Sequence, residues 1–298
     1  MKFYLLIAVI LQVVWGLVPS ASQFVIDEIP VELYIALRWS ISGFIFAIYL
    51  FLTKSWQKIS LSDFLWVAFL GVLGYGLASL GTLYGLKVGG VSNFGLMSSL
   101  GPVISSVAAI FILKEKPNRL FYFALPVVVL GLVCLIYGKF EVSTLRIAGL
   151  SAMLILGGYT LEAIVFVSSK RFKPKMSTFQ YLAIAQGSTA IVLWFSQAAF
   201  FHQTSEIQNL RWHGILAASF VSIVACVFCY AVLYWLLNHI DGHRLALFEG
   251  LHALSSTAFG YLIFREPLRP LMLIGGLFIL AGLVAGNWPK STQIDGDQ

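Results

Sequence analysis

Apolar residues in this chain come in runs close to the ~20 residues needed to cross a bilayer as helix, and polar residues are confined to short interruptions between them. Ten runs can be counted: Phe3 to Ile26, Leu33 to Leu52, Phe64 to Leu86, Phe94 to Leu113, Leu120 to Tyr137, Ile147 to Ser168, Thr178 to Phe201, Trp212 to Leu237, Leu245 to Phe264 and Leu268 to Asn287. Apolar and polar positions do not alternate over roughly ten-residue segments, as they would in a membrane β-barrel. The pattern predicts an all-α integral membrane protein of ten transmembrane helices, with links too short for an extramembrane domain. Within the first run Gln12, Trp15, Pro19 and Gln23 fall at spacings of three and four along one helical face. Such a stripe suits a cavity wall or hydrogen bonds to neighbouring helices, and Pro19 can kink the helix that carries it. In the third run Gly81 and Gly85, followed by Gly89, have the four-residue spacing that lets helices approach closely.

The runs also repeat. At an ungapped offset of 151 residues, Ser92 to Val133 meets His243 to Val284. Lys114-Glu115 then faces Arg265-Glu266, and Gly131-Leu132-Val133 faces Gly282-Leu283-Val284. Because five runs per half is odd, the second half must enter the membrane from the opposite side, making the repeat inverted. The expected units are residues 3–138 and 145–288, with 289–298 a disordered cytoplasmic tail. Inverted repeats around a central cavity give inward-open and outward-open states of similar energy, with a site near the midplane where the halves meet.

Composition agrees with a membrane protein: 59% of the 298 residues are hydrophobic and 11% are charged, against a usual charged fraction of about 25%. The formal charge of +6 is a matter of topology rather than of nucleic acid. Of the 19 Lys and Arg, Arg38 lies in a run and Lys87, Lys139, Arg146, Arg211, Arg265 and Arg269 fall in one set of alternate loops. The remaining twelve fall in the other set, which places both termini in the cytoplasm of a multi-pass protein of the inner membrane. The cluster Lys170 to Lys175 supplies much of that bias. Cys134, Cys226 and Cys229 all sit in apolar runs and read as packing residues, with no disulfide, metal or redox role. The sequence lacks a G-x-x-x-x-G-K-[ST] phosphate loop, H-E-x-x-H and G-x-S-x-G. This disfavours an ATP-driven pump and the common hydrolases, and no cofactor is expected. The expected partners are a small-molecule substrate and membrane lipid, with the number of copies open.

Four ionisable side chains lie inside the runs: Arg38, Glu162, Glu249 and His252. Each is costly in a bilayer and should face a cavity or a partner. At 1.5 Å rise per residue, Arg38 sits roughly 8 Å from one face and Glu162 some 22 Å from the same face, which separates them. Glu249 comes level with Glu162, and His252 and Ser256 follow it at one-turn intervals on the same helical face. These residues are expected to bind a cationic or zwitterionic group, or to titrate and couple protons; the alternative is that they only hydrogen-bond helices together. Arg38 could clamp an anion, or be an interfacial arginine. The substrate pathway is expected to include Glu162, Glu249, His252, Arg38, Trp15, Gln12, Tyr159 and Ser256.

The sequence resembles the EamA group of the drug/metabolite transporter superfamily. The resemblance rests on Trp15-Gly16, Pro30 followed by Arg38, the Tyr84 to Glu115 unit with Leu100-Gly101-Pro102, and the Phe259 to Asn287 unit with Arg265-Glu266-Pro267, Gly275 and Gly282. It implies ten helices around a central cavity, two inverted repeats, and exchange or export of small metabolites such as amino acids. The second half departs from the pattern, with Glu249-Gly250-Leu251-His252-Ala253 where the first has Ser98-Ser99-Leu100-Gly101-Pro102. The expected function is a secondary carrier, an exporter first and an uptake carrier second. Readings of a different class are a membrane assembly subunit or an intramembrane enzyme, which would need His252 paired with Ser255 or Ser256.

Overall fold

A computed structural model describes residues 2–98, 100–115, 117, 119–139, 145–172, 175–265 and 270–286. The corner Glu266-Pro267-Leu268, the basic residue Lys173 and the tail 289–298 lie outside them. Every regular element among the described residues is helical. They are α1 (Lys2–Trp15), α2 (Val18–Ile26), α3 (Val31–Leu52), α4 (Leu61–Gly71), α5 (Ala78–Ser98), α6 (Gly101–Leu113), α7 (Arg119–Lys139), α8 (Leu145–Ser168), α9 (Thr178–Ser196), α10 (Trp212–Ser219), α11 (Tyr230–Leu236), α12 (Gly242–Leu247), α13 (Glu249–Phe264) and α14 (Pro270–Gly286). Wide π turns at Val72–Leu77 and Phe220–Cys229 join α4 to α5 and α10 to α11.

Among the described residues, six helical stretches are long and apolar enough to cross a membrane: Phe3–Ile26, Val31–Leu52, Leu61–Gly89, Gly149–Ser168, Thr178–Phe201 and Trp212–Leu236. Gly101–Leu113, Arg119–Cys134 and Pro270–Gly286 are shorter apolar helices. Phe44, Phe111, Met153, Ile191 and Phe195 are exposed on their surfaces, as lipid-facing side chains would be. The protein is a multi-pass membrane protein built from helices.

The structure breaks the chain at three places within the apolar runs. The first run divides at Gly16-Leu17, between α1 and α2, because Pro19 has no N–H to give the preceding turn. Gly16 is needed there: a Cβ on it would lie 2.7 Å from Ser255 Cβ of α13. The expected link between the third and fourth runs is instead helical through Ser98, and the interruption comes at Leu100, before Gly101-Pro102. Pro102 starts α6 for the same reason that it cannot continue α5. In the ninth run α12 and α13 part at Phe248 without any proline.

The offset of 151 residues reappears in the packing of α7 against α14. A Cβ at Gly131 would lie 2.5 Å from the Gly275 carbonyl oxygen and 2.8 Å from the Ile279 nitrogen. One at Gly282 would lie 2.8 Å from the Ala124 carbonyl oxygen and 2.7 Å from Val128. Gly131 and Gly282 are one offset apart, and so are Ala124 and Gly275, and Val128 and Ile279. The contact thus has the same form from either side. Lys114 and Arg265, likewise one offset apart, both have φ of 55°, a left-handed turn that stops a helix. Gly81 and Gly85 seat α5 against Leu154 and Ile155 of α8, which is close packing as the glycine spacing suggests.

Candidate functional site

The three breaks surround one cavity of about 150 Å3, a volume that holds a molecule about the size of benzene. Trp15, Val18 and Pro19 line it from the first break, Ser98 and Ser105 from the second, and Leu245, Glu249 and His252 from the third. Both π turns contribute as well, through Gly74 and Tyr75 and through Val221, Ala225 and Cys226. Unwound or widened helix segments are where backbone and side chains can turn toward a solute inside a bilayer.

Seven of the eight expected pathway residues line this cavity: Gln12, Trp15, Arg38, Tyr159, Glu162, Glu249 and His252. Ser256 does not. It is buried beside Gly16, where α13 packs on the break in the first run. Gln23 also turns away, donating to Asp27 at 2.7 Å. Arg38 and Glu162, which the depth estimate set apart, both reach the one cavity, from the unbroken helices α3 and α8. Cys226, read as packing, is a wall residue too.

Each charged group is held from a different direction. Arg38 donates to Ser79 Oγ at 2.9 Å and lies 4.5 Å from the Trp39 ring centroid, so it is positioned by α5 and by cation–π attraction. Glu162 accepts from the Tyr230 hydroxyl at 2.5 Å. Tyr230 in turn meets the edge of Trp15 at 5.3 Å. Glu249 hydrogen-bonds Ser105 of α6, and its Oε2 occupies the space a Cβ on Gly101 would need, 2.7 Å away. Gly101 at the second break and Glu249 at the third therefore meet at the site. His252 Nε2 is buried with no partner. Ser255 Oγ is committed to the Leu251 and Gln12 carbonyls. Another ionisable group, Glu32, is buried at the start of α3 and accepts from the Tyr84 hydroxyl. It fell outside the expected run, which began one residue later at Leu33.

Beyond Ser105 and Glu249, toward the loops, the bundle is tied shut by Glu115. Its carboxylate accepts from the backbone N–H groups of Gly242 and His243 at 3.0 Å each, from His243 Nδ1 at 2.7 Å and from Lys170 Nζ at 2.9 Å. Burial alone would raise the pKa of this carboxyl, but the bonds from His243, Lys170 and Gly242 overcome it and hold it down at about 2. A depressed carboxyl stabilises fully above its ordinary value of 4.5 and loses that contribution as pH falls toward about 2. Thermal unfolding of the purified protein should therefore show an acid-side drop across that window. Glu115→Gln should melt lower at neutral pH and show a smaller drop, and an unchanged drop would mean that Glu115 is not its source.

A sequence model of the EamA-like transporter family matches residues 2–137 and 149–287. The chain belongs to this family. This EamA-type chain is also similar to two named proteins. One, an uncharacterized transporter YetK of Bacillus subtilis, is 23% identical over 270 residues, covering 88% of this chain and 80% of YetK. Another, Protein LicB of Haemophilus influenzae, is 24% identical over 207 residues, covering 66% of each. A solved crystal structure superposes with a TM-score of 0.75 at 14% identity, covering 96% of this chain and 97% of the other. At that identity the EamA-type chain and the solved one share a fold.

Proposed function

We propose that this EamA-family protein is a secondary carrier that exports a small amino-acid-like or otherwise polar or amphipathic metabolite across the cytoplasmic membrane. It works by alternating access between two inverted five-helix halves, residues 3–138 and 145–288, with both termini in the cytoplasm. Glu162, Glu249 and His252 receive the cationic part of the solute or exchange protons, and Arg38 receives an anionic part. The observation that carries this reading is that groups from both halves line one cavity that three helix breaks also reach: Arg38 from the first half, and Glu162, Glu249 and His252 from the second. Charged groups are kept inside a bilayer-spanning bundle mainly where function uses them, and broken helices around the midplane are the usual frame of a carrier site.

Contacts between distant loops support the ten-crossing arrangement. Glu115 with Lys170 and His243, Lys175 with Asp63 at 2.5 Å, and Gln180 with Gln57 all join segments that the alternation assigns to the inner face. Glu28 with His213 at 3.0 Å joins two that it assigns to the outer face. The matched α7–α14 contact and the paired left-handed corners support the repeat.

The test is flux in proteoliposomes holding the full chain, against a panel of labelled amino acids and other small polar metabolites, with and without a pH gradient. Substrate-stimulated exchange is expected for at least one class, and its sidedness distinguishes export from uptake. No flux for any of them would remove the carrier reading.

A further inference from the structure

Tyr234 of α11 borders two spaces. It lines the cavity on one side, and on the other it lines a separate crevice of about 20 Å3. Ser169, Lys170, Ser177, Thr178, Tyr181 and Asn238 supply polar groups to that crevice. A water needs roughly 10–15 Å3 of such space and two to four polar partners, and the crevice offers both. It lies by Lys170, the partner of Glu115, and so near the loops that Glu115 joins.

Phenols fill the partition between crevice and cavity. The Tyr181 ring lies 5.4 Å from that of Tyr234, and its hydroxyl is buried without a partner at hydrogen-bond distance. The Tyr234 hydroxyl meets the Tyr75 hydroxyl at 2.6 Å. Tyr75 then touches Tyr230 at 5.3 Å, and Tyr230 donates to Glu162. Phenylalanine would pack these positions as well, while a buried hydroxyl costs free energy unless it is used.

We infer that Tyr181, Tyr234 and Tyr75 form a proton relay from the hydrated crevice to the carboxylates of the cavity, a proton-entry route separate from the path of the solute. It rests on the reading of Glu162 and Glu249 as groups that titrate. A hydronium ion in the crevice gives a proton to the Tyr181 oxygen as Tyr181 passes its own to Tyr234. Tyr234 passes its own to Tyr75, and Tyr75 passes its own through cavity water to a carboxylate. One O–H bond forms and one breaks at each phenol, so every phenol stays neutral. The hydronium ends as water and the carboxylate as carboxylic acid. Tyr181 must rotate toward Tyr234 to complete the chain, which makes it the element that opens and closes the route. Among the described residues the charged group facing the crevice is Lys170, already paired with Glu115. Those facing the cavity end are Glu162, Glu249, His252 and Arg38, with Tyr230 on Glu162.

The test needs no substrate. The full chain in detergent is subjected to a pH jump, and the infrared carbonyl stretch of protonated carboxyl groups is followed in time, with Glu162→Gln and Glu249→Gln assigning the bands. Tyr181→Phe and Tyr234→Phe are expected to slow the rise of those bands roughly tenfold or more while leaving the final amplitude unchanged. Asn238→Leu, which fills the crevice and leaves every phenol in the chain, should slow it in the same way and decides the matter if a tyrosine variant fails to fold. A wild-type rate in Tyr234→Phe overturns the relay, as do wild-type carboxyl bands that ignore pH. Failure of the carrier reading would appear instead as absent solute flux in vesicles, which this measurement does not read.

Discussion

Replacing Glu249 with glutamine is expected to lower solute flux roughly a hundredfold and to flatten its pH dependence, the size of loss that follows from leaving one member of a buried charged constellation without its partner. Glutamine keeps the shape of the side chain and can still accept from Ser105, so packing against Gly101 is preserved. What is lost is the negative charge and the capacity to take a proton. Glu162→Gln should behave similarly and also weaken the bond from Tyr230, since a neutral amide oxygen accepts less strongly than a carboxylate. His252, whose Nε2 has no partner in the protein, is the group positioned to meet the solute directly, and His252→Gln should raise the half-saturating solute concentration more than it lowers maximal flux. Vesicle assays across a pH series provide the measurement. Wild-type flux with an unchanged pH profile in both glutamate variants would rule out the assigned roles.

The second large effect concerns the frame. Gly131→Ala and Gly282→Ala should each destabilise the purified protein by about 1–3 kcal/mol, because the added methyl has nowhere to go in a packed interface. At Gly131 it would press on the Gly275 backbone, and at Gly282 on that of Ala124. Since both substitutions push the same two helices apart, the double variant should lose less than the sum of the single losses. Gly157→Ala is the control. Nothing lies within 4 Å of a Cβ there, and alanine in a helix should gain about 0.5–1 kcal/mol over glycine. Thermal unfolding of the three variants decides it, and a neutral Gly131→Ala would show that the α7–α14 contact yields more readily than its geometry implies.

Most of the cavity's charged lining was legible because charge inside an apolar run is expensive, so Arg38, Glu162, Glu249 and His252 stand out against their neighbours. Of its phenols only Tyr159 was. Tyr75, Tyr230 and Tyr234 sit in runs where an aromatic residue suits lipid as well as it suits a cavity, and nothing local separates the two. Proline signals the breaks near Pro19 and Pro102, but the break at Phe248 has no such residue and shows only in the hydrogen bonds around it. Depth counting along α3 and α8 did not bring Arg38 and Glu162 to one cavity, because it says nothing of how far the cavity extends between those helices. The Glu115 tie joins three segments far apart in sequence, and only the fold brings Lys170 and His243 to it.

The pairing of α7 with α14 also bears on how the protein is made. Gly131 meets its partner surface only when a helix 151 residues further along has emerged, which at ordinary rates of synthesis takes on the order of ten to thirty seconds. Through that interval Gly131 is without the surface it packs on. The contact that joins α7 to α14 is thus among those that form only after most of the described helices have been made.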